Sequence, residues 1–448
     1  MAQSTTTPDA GLDALYRAHL TTMNTRLEAA LAATGFDGLV IFAGDLLAPP
    51  RDDVDYPFRV EPHFAAWLPL DRLPGAALVL EPGRTPILLY PQADDFWHAP
   101  ARDPEGFWVE HFDVRVITTN SSAAPELGRL RTRFASIGAA GNDAAAVNAR
   151  NDARVRQRLD YDRATKTDYE IACMRAASRV AARGHFRVAA AFGSGVSEFE
   201  LAGLYCDATR QRETELPYPS IVALNEHGAI LHYQHLDRTA PAATRSLLID
   251  AGAASSGYAA DVTRTWTVSG SPLEPLIAAM DGLQQTLCAD IRAGVDFVAV
   301  NERAHELLAG VLATHLIVTC SAAEAYESGL TRTFLPHGLG HLLGLQVHDA
   351  GGRQVSPDGE LRAPPEAHPF LRLTRLLEPG FVLTIEPGLY LIPSLLQKLT
   401  PDLRAKVNWA IVETLLPYGG IRIEDDVLTR ATTHANLTRE AFAACGAA

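Results

Sequence analysis

The chain reads as an α/β (α+β) protein built in two parts, residues 1–160 and 161–448, and three features carry that reading. Strand-like apolar runs alternate with segments of helical periodicity in the N-terminal third. A densely charged stretch, Val155 to Thr167, then interrupts the pattern and reads as a linker. At 448 residues the chain is long enough for two or three domains.

The elements follow in order. Met1 to Ala10 is polar, with neither a basic start nor an apolar core, and reads as a short tail rather than a secretion signal. Leu12, Leu15, Tyr16, Leu20, Met23, Leu27 and Leu31 recur at helical spacing, and Gly35 ends that helix. Gly38 to Ala43 reads as a buried strand. Ala76 to Leu80 and Ile87 to Tyr90 are two more, joined by the turn sequence Glu81-Pro82-Gly83-Arg84. Val114 to Thr118 is a further strand. After the charged stretch, Asp168 to Phe192 predicts a long helix with Ile171, Met174, Ala177, Val180, Ala181 and Phe186 inward. Ser197-Glu198-Phe199-Glu200 opens another helix. Ser220–Leu224, Ile230–Tyr233, Ser246–Asp250 and Tyr258–Val268 read as strands.

Composition excludes several function classes. The chain is 47% apolar and 21% charged, as in ordinary globular proteins. A net charge of −14 argues against a nucleic-acid partner, which a basic surface would attract. No apolar run approaches the roughly 18 residues of a membrane span. The five cysteines, Cys173, Cys206, Cys288, Cys320 and Cys445, are odd in number and lack a CxxC pair. They read as reduced, mostly buried thiols of a cytoplasmic protein.

Five residues of the second part point to chemistry. Asp250 ends the apolar run Leu247-Leu248-Ile249-Asp250. Asp261 lies in Tyr258-Ala259-Ala260-Asp261-Val262-Thr263-Arg264-Thr265. His341 belongs to Pro336-His337-Gly338-Leu339-Gly340-His341. Glu386 lies in Leu383-Thr384-Ile385-Glu386-Pro387-Gly388, and Glu424 in Gly420-Ile421-Arg422-Ile423-Glu424-Asp425. Each carboxylate is set in apolar, glycine-rich sequence that predicts burial. Lone buried carboxylates are too costly to recur four times, so a shared counter-charge is implied. Four carboxylates and an imidazole form an oxygen-rich donor set for Mn²⁺, Co²⁺ or Fe²⁺, and two divalent ions would balance the four charges. A strand ending at Asp250, a turn through Ala253–Gly257 and a returning strand would bring Asp250 and Asp261 together. Arg422 and Glu424, two apart, would share a strand face.

These strings, in this order, resemble the proline-specific metallopeptidases of the creatinase/methionine-aminopeptidase ("pita-bread") superfamily. The likeness runs from about Leu12 to Glu440 and is nearest to the bacterial Xaa-Pro dipeptidases (prolidases), beside the organophosphorus acid anhydrolases. It implies a creatinase-like N-terminal domain that forms a homodimer and contributes to the substrate pocket, followed by a pita-bread catalytic domain. It also implies two divalent metal ions per subunit, taken as Mn²⁺, and hydrolysis of Xaa-Pro dipeptides by a metal-bridging hydroxide. By resemblance Asp250 binds one metal, Asp261 and Glu424 bridge, and His341 and Glu386 serve the second. Glu386 also relays the proton to the leaving nitrogen. His232, in Leu231-His232-Tyr233, and His348 match residues that contact substrate and steady the oxyanion. His337 is placed with the catalytic residues, with orienting His341 as its alternative role. Arg372 matches the arginine that grips the proline carboxylate. Arg422 is taken as substrate-binding, with a structural ion pair to a ligand carboxylate as the alternative, and Tyr218 matches a substrate-pocket tyrosine, although Pro219 departs from the usual glycine or serine. Asp53, in Arg51-Asp52-Asp53-Val54-Asp55-Tyr56, resembles the acidic group of a loop that meets the substrate ammonium in a dimer; Trp97 is read as lining the same pocket, with simple burial as the alternative. Asp349, after His348, has no assigned role. A small peptide is thus the expected partner, with no nucleic acid and no membrane. Three alternatives stand beside the dipeptidase: an aminopeptidase P acting on longer peptides, an organophosphorus triester hydrolase, and a non-catalytic pita-bread binding protein. The last would show broken ligands.

Overall fold

The structure is a computed structural model and describes residues 10–70, 72–92, 101–118, 127, 133–138 and 150–446. Trp97 and the first nine positions lie outside the described residues. The chain divides into two compact units. The first comprises Met1–Arg163, Thr167–Ala172 and Ser356–Glu360, and the second Ala164–Lys166, Cys173–Val355 and Leu361–Ala448.

The first unit is built on a mixed sheet. Its strands are β1 (Gly38–Phe42), β2 (Ala77–Leu80), β3 (Ile87–Pro91), β4 (Asp113–Ile117), β5 (Phe134–Ile137) and β6 (Arg150–Asn151), in the spatial order β4-β3-β2-β1-β5-β6. β1 runs antiparallel to β2 and parallel to β5. Val40, Phe42, Val79, Leu89 and Phe134 form its core. Helix α1 (Ala10–Thr34) buries Tyr16, Leu20, Met23, Leu27 and Leu31 along one stripe. It stops where Gly35, at φ +75°, donates its N–H back to the Leu31 carbonyl. A short helix, α2 (Pro62–Ala65), follows β1.

The charged stretch is not a linker. Ala153–Arg163 forms helix α3, which packs on α1. Val155, Leu159 and Arg163, one turn apart, are buried, and the other charges occupy the remaining faces. So narrow an apolar stripe is masked by five surrounding charges that look like a solvated connector.

The second unit opens with α4 (Asp168–Ala191) and α5 (Glu198–Thr209). On α4 the buried residues include Cys173, Met174, Ala177, Ala181, His185 and Val188, whereas Phe186 is 41% exposed rather than inward. The helical phase places His185 on the core face in its stead. Three strands follow, β7 (Ile221–Leu224), β8 (Ser246–Asp250) and β11 (Thr263–Thr267), in a sheet ordered β11-β8-β7. The segment Ile230–Tyr233 is not a strand. Asn225–Ala229 is a 3₁₀ turn, and the chain continues through irregular turns. Tyr258–Val268 is not one strand either. It breaks into β10 (Tyr258–Ala259), paired with β9 (Ala254–Ser255), and β11, leaving Asp261 in the gap. The β9–β10 hairpin turns on Ser256 and Gly257, both left-handed, as a two-residue hairpin requires.

Helices α6 (Glu274–Asp290) and α7 (Phe297–Thr314) pack with the last strands around the largest core, which holds Met280, Phe297, Leu308, Phe334, Leu383 and Ile385. β12 (Val382–Ile385), β15 (Asp425–Thr429) and β16 (His434–Asn436) form one sheet. β13 (Gly388–Tyr390) and β14 (Gly420–Arg422) form a two-stranded pair. No helix among the described residues is long and apolar enough to cross a membrane. None of the five cysteines forms a disulfide, and only Cys173 and Cys288 are buried.

Candidate metal centre

Four strand ends converge in the second unit. β8 delivers Asp250 and pairs antiparallel with β11, so that Thr263 stands opposite Asp250. The β9–β10 hairpin between them returns the chain to Asp261. β11 then joins the last strands: the Glu424 N–H donates to the Thr263 carbonyl, and the Arg422 N–H to Thr265 Oγ1. Glu424 follows Ile423 in the two-residue gap between β14 and β15. On the other side Leu339–Leu342 runs along β12. Thr384 N–H donates to the His341 carbonyl, and Glu386 N–H to the Leu339 carbonyl. Gly340 permits that approach, because a Cβ there would lie 2.0 Å from the Thr384 carbonyl oxygen.

The result is a buried cluster of donors. Asp261, His341 and Glu424 are all buried, and each offers a ligand atom within 4.8 Å of the others. His341 Nε2 lies 3.5 Å from Asp261 Oδ2 and 3.5 Å from Glu386 Oε1. Its Nδ1 is 3.0 Å from the Leu342 carbonyl, which fixes the proton there and leaves Nε2 with its lone pair toward the carboxylates. Tyr218 Oη lies 2.7 Å from Asp250 Oδ1 and 2.5 Å from Asp261 Oδ1, so one phenolic hydrogen serves both carboxylates. Thr263 Oγ1 donates to Glu424 Oε2 at 2.6 Å.

One guanidinium serves this acidic group. Arg422 donates to Asp250 Oδ2 (2.7 Å), Thr263 Oγ1 (3.1 Å) and Tyr390 Oη (2.9 Å). Its hydrogen-bonded carboxylate is therefore Asp250; Glu424 shares Thr263 with it and feels its charge at a distance. Tyr390 Oη is also 2.9 Å from His337 Nε2, whose Nδ1 stands 3.7 Å from Glu386 Oε2. His337 thus lies against Glu386 and Tyr390, rather than being hydrogen-bonded to His341. His348 packs edge-on to His341, with ring centroids 4.4 Å apart. His232 and Arg372 are exposed, and both act electrostatically on His348. The chain before Arg372 is clamped, because Arg353 donates twice to the Leu371 carbonyl, at 3.2 and 2.7 Å. Asp53 belongs to the first unit, on an exposed loop beside Arg51, a left-handed residue.

The electrostatics expose a charge deficit. Burial pushes the Glu386 carboxyl up to about 7, despite the opposing pull of His341 and Arg422. Burial also raises Asp250 against Arg422, and raises Glu424 well above the carboxylate range, with Asp261 and Glu386 adding repulsion. His341 is raised, burial being outweighed by the Asp261 and Glu386 carboxylates. Burial, with His341 and Arg372 nearby, lowers His348 to about 4. Burial and Arg422 lower His337 to about 4. Four carboxylates, Asp261 and Glu424 buried and Asp250 and Glu386 partly so, with one guanidinium among them, fit a pair of divalent cations in donor type and in charge. Asp250, Asp261, His341, Glu386 and Glu424 are the residues that would hold them.

Several supporting groups escaped the sequence reading. Asp425 accepts from Arg264 (2.6 Å) and Arg439 (2.7 Å); burial alone would raise it, but the two guanidiniums hold it below the usual range. Asp426 accepts the Asp261 N–H, fixing the ligand's backbone. Asp349 pairs with Lys166 at 2.8 Å, with side-chain exposures of only 2% and 1%. The alternation Asp261-Thr263-Thr265 was a signal for Thr263, since one strand face must carry all three. Tyr390 and Lys166 had no local signal, because their partners lie far off in sequence.

Comparison with known proteins agrees with this geometry. The model of metallopeptidase family M24 matches residues 172–431, and that of the Xaa-Pro dipeptidase N-terminal domain matches residues 14–161. A Xaa-Pro dipeptidase of Xanthomonas campestris pv. campestris (strain B100) is 47% identical over 435 residues, covering 97% of this chain and 99% of that protein. One of Stenotrophomonas maltophilia (strain R551-3) is 46% identical over 433 residues, covering 96% and 98%. Among solved structures, a zinc-substituted E. coli aminopeptidase P in complex with product superposes with a TM-score of 0.70 at 25% identity, over 95% of this chain and 98% of that one. Proline aminopeptidase P II from Yersinia pestis gives 0.71 at 26% identity, over 96% of each. With its mixed helix-and-sheet architecture and its converging carboxylates, the chain belongs to metallopeptidase family M24, of the pita-bread fold, and carries an N-terminal domain of the Xaa-Pro dipeptidase type.

Proposed function

We propose that this protein hydrolyses Xaa-Pro dipeptides, releasing the N-terminal amino acid and proline, with two divalent cations at the carboxylate cluster. The observation that carries the reading is the set Asp250, Asp261, His341, Glu386 and Glu424, gathered around a buried core of Asp261, His341 and Glu424 and short of positive charge. When bound, the cations acidify a water into a nucleophile and polarise the scissile carbonyl. The donor set favours Mn²⁺, with Co²⁺ or Fe²⁺ as substitutes.

The chain's own residues supply the rest. Glu386, raised by burial to about 7, can take the attacking water's proton and return it to the proline nitrogen, which must be protonated to leave. His337, 3.7 Å from that carboxylate and tied to Tyr390, keeps Glu386 in place. His348, held neutral by burial and by its cationic neighbours, can donate a hydrogen bond to the developing oxyanion, together with His232. Arg372 offers a planar fork for the free proline carboxylate. Arg422 and Tyr218 hold Asp250, and Tyr218 also touches Asp261. We assign the first part of the chain, residues 1–160, to homodimer formation, and Asp53 to the substrate ammonium. The free thiols accord with a cytoplasmic setting.

The deciding experiment compares Ala-Pro, Ala-Pro-amide and Ala-Pro-Ala with Mn²⁺ supplied. Ala-Pro should be far the best substrate. A second reading, aminopeptidase P, is favoured by the likeness to solved aminopeptidase P structures. Equal cleavage of Ala-Pro-Ala and Ala-Pro would establish it instead.

A further inference from the structure

His232 sits on a segment with no regular strand, between β7 and β8. Two features show that this segment does not set its own conformation. Asn225 and Leu236, both non-glycine, are left-handed, at φ +58° and +52°. Such residues are strained and persist only where the surroundings over-determine them. His232 itself is exposed, so packing of its ring does not fix it.

Asn225 is held by its own side chain, which bonds Ala243, Arg245 and Ser246; the rest of the segment is gathered on one carboxylate. Glu198, at the start of α5, is only 1% exposed. Its Oε1 accepts the Leu224 N–H at 2.8 Å and His227 Nδ1 at 2.8 Å. Its Oε2 accepts the Tyr233 hydroxyl at 2.6 Å and the Asp237 N–H at 2.8 Å. All four donors come from Leu224–Asp237. They bracket the segment at both ends and include the residue next to His232. The Phe199 N–H donates to the Asp237 carbonyl, and the His227 ring stacks on Tyr233 with centroids 4.6 Å apart. The helix start does not need the Glu198 side chain, because Ser197 and Glu200 form the capping box. A carboxylate has room for about four donors, and here each place is taken by the same short segment.

We infer that Glu198 is a positioning residue for catalysis. It holds the Leu224–Asp237 segment in the single conformation that presents His232 to the scissile peptide. The inference rests on the role for His232 given under the proposed function.

A double-mutant cycle separates the two. Glu198→Gln keeps the size but sets an amide NH₂ against donors that need an acceptor. With Ala-Pro as substrate, kcat should fall at least about tenfold, with KM nearly unchanged and two ions still bound per chain. Hydrogen exchange should rise across residues 224–237 and stay unchanged elsewhere in the second unit. His232→Ala should lower kcat about 100-fold. Adding Glu198→Gln to it should then change kcat by less than about twofold, because a residue that acts through another has nothing left to act on. The same tenfold loss in both backgrounds, or wild-type kcat in Glu198→Gln, overturns the inference while leaving His232 in place. Wild-type kcat in His232→Ala contradicts the role of His232 and takes the inference with it. Should Glu198→Gln fail to fold, Tyr233→Phe removes one of the four bonds. It should cost a few-fold in kcat in the parent and nothing measurable beside His232→Ala; equal losses in the two backgrounds again refute the idea.

Discussion

Single side chains in this site divide into those that would meet the cations and those that hold them. Asp261 illustrates the first kind: its side chain faces His341 and Tyr218, and its backbone is fixed by Asp426. Asp261→Asn should lower kcat/KM on Ala-Pro by at least about 100-fold and leave less than two ions per chain, while the metal-free protein keeps its melting temperature. Retained activity with full metal would remove Asp261 from the ligand set. Asp349 is of the second kind, and the sequence hides it. Read locally, it only follows His348. In the fold it is the counter-ion of Lys166 in a pair almost without solvent contact. Asp349→Asn leaves a buried ammonium with a neutral partner, a change of about 3–5 kcal/mol in stability. It should therefore show as a drop of many degrees in melting temperature rather than as lost metal. Arg372→Ala should lower kcat/KM on Ala-Pro at least about tenfold, as loss of a charge-assisted bond of about 1.5–3 kcal/mol implies. The loss on Ala-Pro-amide, which lacks the carboxylate, should be much smaller. Equal losses on the two substrates would mean Arg372 acts on the fold and not on the charge.

At the level of elements, legibility follows how local the cause is. The strand ending at Asp250 and the return to Asp261 were readable, because the apolar run Leu247–Ile249 and the Ser256-Gly257 turn lie side by side in sequence. Helix α1 was readable from its own periodicity and its glycine stop. Two segments were not. α3 looked like a linker because its charges outnumber its two-residue stripe. Ile230–Tyr233 looked like a strand because it is a short, mostly apolar run, yet it is held from outside by Glu198 at the start of α5. The network Asp250–Arg422–Tyr390–His337 was equally unreadable: Asp250 and Arg422 stand 172 positions apart. The approach of Leu339–Leu342 to β12 belongs to this scale as well. Gly340→Ala would drive a Cβ to 2.0 Å from the Thr384 carbonyl and force the two segments apart. Metal affinity should weaken at least about tenfold, measured by competition with a chelator. Unchanged affinity would show that the pairing tolerates a side chain.

For the molecule as a whole, the account predicts that metal and stability are linked through pH. In the metal-free protein Glu386 titrates near 7 instead of 4.5, and Asp250 and Glu424 are raised with it, burial being the main cause. A carboxyl with a raised folded-state pKa keeps in the folded chain a proton that the unfolded chain releases. Its stabilisation is therefore full below the unfolded value and is lost as pH climbs toward the folded one. The melting temperature of chelated protein should thus fall between about pH 4.5 and 7. Bound cations remove that repulsion and stabilise the folded state by mass action, so the gap between loaded and chelated samples should widen over the same interval. A constant gap across that range would mean the carboxylates are not the seat of the linkage.

The central claim, a peptidase that needs two cations at five named residues, is tested most directly by counting. Chelated protein is titrated with Mn²⁺ while bound metal and Ala-Pro hydrolysis are measured on the same samples. The account predicts negligible turnover at zero metal and a rise that levels off at two ions per chain. Full activity with metal verified near zero, or no hydrolysis of Ala-Pro with two ions bound, would contradict it.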